Sequence, residues 1–228
     1  MNRSLLTRSL LTRIGLTLTV ALIGLAPAAA ADTVPTLKIV LQVPDPSVPL
    51  HLVLRARSEV ERIYRDAGVE IIWRGVTFGG HEAERVQAAD TLPPGLGLVV
   101  LSSTFTDKIS VSTDALGGAT GTPEHRGQIA YVFYDRVESI ARAYLNRAHI
   151  NGSSEIDTVI VLAHAMAHEI GHLLLPHGHS EAGLMRADWN ATDLRNAVDS
   201  DLNFTPEQAA LITSRLLPQT RPSNADED

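Results

Sequence analysis

Ala167-His168-Glu169-Ile170-Gly171-His172 lies inside a strongly apolar segment. On a helix, residues four apart stand one above the other, offset by about 40°. His168 and His172 would therefore present two imidazoles to one metal ion. Glu169 projects beside the same point, where it can hold a metal-bound water. A zinc-dependent hydrolysis needs this arrangement. The helix is expected to open at Ser153 or Ser154 and to run to about Leu175, where Pro176 forbids simple continuation.

Upstream, the chain alternates between strand and helix patterns. Thr36 to Val43 reads as a strand broken by Pro44 and Pro46. From Pro49, apolar residues recur at helical spacing from Leu50 to Ala67, and Gly68 is a C-terminal cap. Val69 to Trp73 and Gly95 to Ser102 read as strands, the latter central because it is nearly all apolar. Gln128 to Tyr134 is a fourth strand, preceded by a Gly-rich loop over Leu116 to Pro123. Downstream, Thr205-Pro206-Glu207-Gln208 has the form of a capping box with proline at the first helical position, opening a last helix to about Leu216.

After the motif come Pro176-His177-Gly178-His179-Ser180-Glu181-Ala182-Gly183-Leu184-Met185. The order of elements and these residues resemble the zincin metallopeptidases, and the metzincins and matrixins in particular. Those extend the motif to His-Glu-x-x-His-x-x-Gly-x-x-His and follow it with a turn ending in methionine. Gly183-Leu184-Met185 resembles that turn. The match departs at two places: Leu175 stands at the turning glycine and Gly178 at the third histidine. His179 is the preferred third ligand, one residue late, and His177 is the alternative. Another zincin clan would use a carboxylate, such as Glu181, Asp188 or Asp193.

The resemblance implies an α+β, zincin/metzincin-like fold: a twisted, mostly parallel sheet of about four strands with an active-site helix and a C-terminal helix. It implies a Zn2+ cofactor on His168, His172 and His179, with Glu169 as the general base that takes a proton from water and passes it to the leaving amine. Peptide or protein substrate would lie extended along the edge strand, taken as Gln128 to Tyr134, by strand addition. Tyr131 and Tyr134 are candidates to assist the oxyanion. The alternative function is a non-catalytic zincin-fold domain whose zinc is structural and whose cleft binds a protein partner. Of the remaining histidines, His164 lies about 80° around the helix from His172, which suits a buried or supporting role. His51, His81, His125 and His149 read as ordinary residues.

The N-terminus reads as a secretory signal peptide, residues 1–31. Arg3, Arg8 and Arg13 precede an uncharged apolar run, Ile14 to Leu25, and a small-residue cleavage site, Ala28 to Ala31. A secreted or periplasmic location follows. The rest is one domain, 32–218, and a disordered acidic tail, 219–228. The chain has no cysteine, so neither disulfides nor a cysteine-switched pro-segment is expected; a peptidase of this kind is either exported ready to act or controlled by a separate protein inhibitor. The full chain carries a net charge of −7, and losing the three leader arginines takes it to −10. Such acidity disfavours nucleic acid and anionic membranes, and no membrane span is expected once the leader is gone.

Overall fold

A computed structural model describes residues 33–79, 95–108, 115–121, 126–148, 154–176 and 178–217. The leader and the acidic tail lie outside the described residues, as do His81, His125, His149 and His177. All described elements belong to the unit Val34–Asp228.

β1 (Thr36–Val43) alternates, burying Leu37, Ile39, Leu41 and Val43, as a strand covered on one face must. α1 (Leu50–Asp66) presents Leu52, Val53, Ala56, Val60, Ile63 and Tyr64 to that face. It closes at Gly68, whose φ of +79° puts it in the left-handed region. β2 (Glu70–Phe78) pairs in parallel with β1 and is longer than the sequence pattern implied; the register slips between Ile39 and Val40, leaving Arg74 as an extra residue. β3 (Leu96–Leu101) is buried nearly throughout and lies between β1 and β5 (Arg126–Phe133), as its unbroken apolar run implied.

Two expectations about the sheet are corrected. It has five strands, ordered β2-β1-β3-β5-β4, where β4 is Gly117–Gly121, antiparallel to β5. The Gly-rich segment is thus a strand rather than a loop, and it is the edge beyond β5. The strand at Gln128 to Tyr134, expected at the edge, is internal. Period-2 patterning is carried by side chains, and Gly117, Gly118 and Gly121 have none to show.

Helices α1, α3 (Ser154–Leu174), α4 (Ala191–Val198) and α5 (Pro206–Leu216) contribute to a main core on one face of the sheet. On the other face, Val99, Leu101, Ile129, Tyr131 and Phe133 form a second cluster with Phe105. α2 (Tyr134–Ala148) runs directly off β5 and packs on α3. Its buried residues Val137, Ala141 and Tyr144 have helical spacing. Among the described residues no helix is long and apolar enough to cross a membrane.

Candidate metal centre

α3 is buried almost all round, with Val161, Leu162, Ala163, Ala165, Met166, Ala167, Ile170 and Leu173 at 2% exposure or less. Such a helix is a fixed mount for the side chains on its one open flank. His168 is buried there, and His172 is half-buried one turn on. Their rings meet edge-on with centroids 4.7 Å apart, and their Nε2 atoms are 3.0 Å apart. Two nitrogens each 2.0–2.1 Å from one tetrahedral zinc stand about 3.3 Å apart, so this pair is already close to ligand spacing.

The chain beyond α3 brings the third imidazole back. Leu175 N–H still bonds to Gly171 O, and the Leu175 side chain is buried, so the helix ends without a turning glycine. The loop then returns His179 to 4.8 Å from the His172 ring and 5.3 Å from the His168 ring. One donor atom from each of His168, His172 and His179 lies within 4.8 Å of the others. Among the described residues this is the one group able to hold a metal ion. The competing carboxylates are elsewhere. Glu181 and Asp188 are exposed and outside the group. Asp193 caps α4 through Asn190 N–H (2.9 Å) and pairs with Arg186 (3.1 Å), a role that Asn190-x-x-Asp193 announces as a capping pattern.

The His168 tautomer follows from its other nitrogen. Nδ1 is 2.8 Å from the Leu184 carbonyl, which can only accept. Nδ1 therefore carries the proton and Nε2 is bare, as a ligand must be. Trp189 Nε1–H donates to the same carbonyl at 3.2 Å, and its ring meets His168 edge-on. Met185 follows, fully buried. Gly171 makes room for it, since a Cβ there would stand 2.6 Å from the Met185 sulfur. His164 is buried but apart from the group, with Nδ1 on Ile160 O at 2.8 Å. Trp189 was not legible as a site residue: it lies four residues beyond Met185 with no motif around it.

Burial lowers the His168 pKa to about 4, and burial with the neighbouring His168 and His179 lowers that of His172 to about 3. Both rings are neutral at pH 7, the form that binds metal. Glu169 is not one of the three. It is 6% exposed, its Oε2 has no hydrogen-bond partner, and burial raises its pKa to about 8. β4 closes over it: a Cβ on Gly117 would collide first with the Tyr131 carbonyl oxygen of β5 and would lie 2.6 Å from Glu169 Cγ and 2.7 Å from Cδ. Gly117→Ala is therefore expected to cost about 1–3 kcal/mol by overpacking and to displace the carboxylate. Denaturant melts of the variant check this; wild-type stability would contradict it. Tyr131 packs in the cluster on the opposite sheet face, so it does not serve this site. The Tyr134 hydroxyl donates to Glu138 at 3.4 Å.

These shifts give the chelator-treated domain a pH optimum. The folded domain keeps His168 and His172 neutral down to about 4 and about 3, whereas the unfolded chain protonates them near 6.5. Stability from these rings is lost as pH falls below 6.5. Glu169 acts oppositely: its proton is held to about 8 when folded but only to 4.5 when unfolded, so stability is lost as pH rises through 8. Between 4.5 and 6.5 two imidazoles outweigh one carboxyl, so the melting temperature should peak near pH 6.5. A steady rise to pH 8 would contradict this.

No family model matches the chain, and no curated protein matches it in sequence. In fold it is similar to archaemetzincin from Methanopyrus kandleri, with a TM-score of 0.51 and 14% identity, covering 79% of this chain and 96% of that one. At that identity the likeness concerns the fold. The mostly parallel sheet with flanking helices is zincin-like in outline, and the three histidines form a group that could hold a metal ion.

Proposed function

We propose that this chain is a zinc-dependent peptide hydrolase, exported from the cell. The observation that carries the reading is a buried, unpartnered carboxylate oxygen on Glu169, the residue that follows His168 on α3. The donor set fits zinc: three imidazoles, two of them at near-ligand spacing and the third within 4.8 Å, with one coordination position left over. A zinc ion held by His168, His172 and His179 would supply Lewis acidity, lowering the pKa of a water to about 7 and polarising a carbonyl oxygen. The protein residues have separable tasks. His168, aimed by Leu184 O, and His172 form the rigid pair; His179 completes the set. Glu169, ionised once a divalent cation is near, accepts a proton at a carboxylate oxygen and returns it to the departing amine. β4, with an outer edge unpaired among the described residues, is the place for an extended peptide backbone. That assignment moves from Gln128–Tyr134 to Gly117–Gly121.

A second reading has its own observation. Glu169 is nearly sealed beneath Gly117, which also suits a non-catalytic domain with a structural zinc and a cleft for a protein partner. Incubating zinc-loaded protein with a mixed peptide library separates the two. The hydrolase reading predicts cleavage that Glu169→Ala abolishes. Full zinc content with no cleavage of any peptide would favour the binding domain.

A further inference from the structure

We propose that Gln208 is a positioning residue for the third histidine, acting through Ser180. This rests on the proposed metal-binding role of His179. The His179 ring meets the two other imidazoles, but no hydrogen bond to it is found among the described residues. Its aim must therefore come from its backbone. On one side is Gly178, where an added Cβ would meet nothing within 4 Å, so that side gives no packing support. On the other side is Ser180, which is tied down. Its N–H donates to Met185 O at 2.8 Å, and it forms a β-bridge with Arg186. Its hydroxyl donates to Ala182 O at 2.8 Å and accepts from Gln208 Nε2 at 3.1 Å.

Gln208 is the third residue of α5 and the reciprocal partner in its cap. Its Oε1 accepts from Thr205 N–H at 3.0 Å, while its own N–H donates to Thr205 Oγ1 at 3.3 Å. The cap uses only the carbonyl end of the side chain. The amide end crosses to the loop beside His179. The same loop carries Leu184, whose N–H bonds to Asn203 O at 2.9 Å and whose carbonyl orients His168. The start of α5 and the residues before it thus support two of the three imidazoles from behind.

Because the two ends of Gln208 have different tasks, one substitution separates them. Gln208→Glu keeps an acceptor for Thr205 N–H, as a capping box allows, but offers Ser180 no donor. The Ser180 hydroxyl proton is already on Ala182 O, so the new carboxylate oxygen would face an acceptor. Ser180→Ala removes the same link without adding charge. Ser180→Thr keeps the hydroxyl.

The test is zinc affinity by chelator competition on the full domain, with melting temperature measured on the metal-free form. Gln208→Glu and Ser180→Ala are each expected to weaken zinc binding about ten-fold, the low end for residues behind a ligand. The pair together should lose no more than either alone. Ser180→Thr should bind like wild type, and metal-free melting of Gln208→Glu should be unchanged. Wild-type affinity in Gln208→Glu, or losses that add in the double variant, overturns the proposal while leaving the metal site standing. If Gln208→Glu fails to fold, Ser180→Ala against Ser180→Thr decides alone. A wild-type domain that binds no zinc instead refutes the metal-binding reading itself.

Discussion

Glu169→Ala should retain a full zinc complement and lose roughly a hundred- to ten-thousand-fold in peptide hydrolysis, the usual worth of a positioned general base. The residue is outside the histidine group, so its removal takes no ligand away. Nor should it unfold the domain. The carboxyl is buried with one oxygen unpartnered, and burial holds its pKa near 8; removing such a group relieves a desolvation penalty. Glu169→Gln gives a sharper version, because it preserves volume while eliminating the titration. In metal-free Glu169→Gln the decline in stability above pH 6.5 should vanish. Steady-state rates and zinc analysis on the same preparations check the first claim; unchanged turnover would remove Glu169 from the mechanism.

His172→Ala should abolish zinc binding at concentrations that saturate the wild type. His172 Nε2 is 3.0 Å from His168 Nε2 and its ring is 4.8 Å from that of His179, so it is the member that adjoins both others most closely. Two remaining nitrogens do not make the closed set that retains zinc against a chelator. His172 is half-buried near the end of α3, where alanine is a good helix former, so secondary structure should survive. Equilibrium dialysis with elemental analysis reads the outcome; a variant that keeps full zinc content would refute the assignment. His179→Ala should behave likewise, and His177→Ala should not.

The sequence was most readable where chemistry and periodicity coincide. Two histidines four apart in an apolar run dictate a shared helix flank, and α3 provides it. Gly68 at the end of α1 and the Thr205–Gln208 box at the start of α5 are read from local hydrogen-bonding logic and occur as expected. β4 was missed because glycines carry no face. Its glycine character has a packing reason instead, since Gly117 is where the strand passes over Glu169. α2 was missed although Val137, Ala141 and Tyr144 carry helical spacing, because it follows β5 without a break. His179 could be preferred over its neighbours only from the order of landmarks. Its neighbour Ser180 is held by a bridge to Arg186 and by Gln208, a contact 28 residues along the chain that no local pattern announces.

Zinc X-ray absorption on the loaded wild type and on Glu169→Ala tests the central claim most directly. A site of three imidazole nitrogens with an exchangeable fourth position predicts three nitrogens at about 2.0–2.1 Å and one light oxygen ligand, identical in both proteins. Fewer than three imidazoles in the wild type, or loss of a ligand in Glu169→Ala, would contradict it.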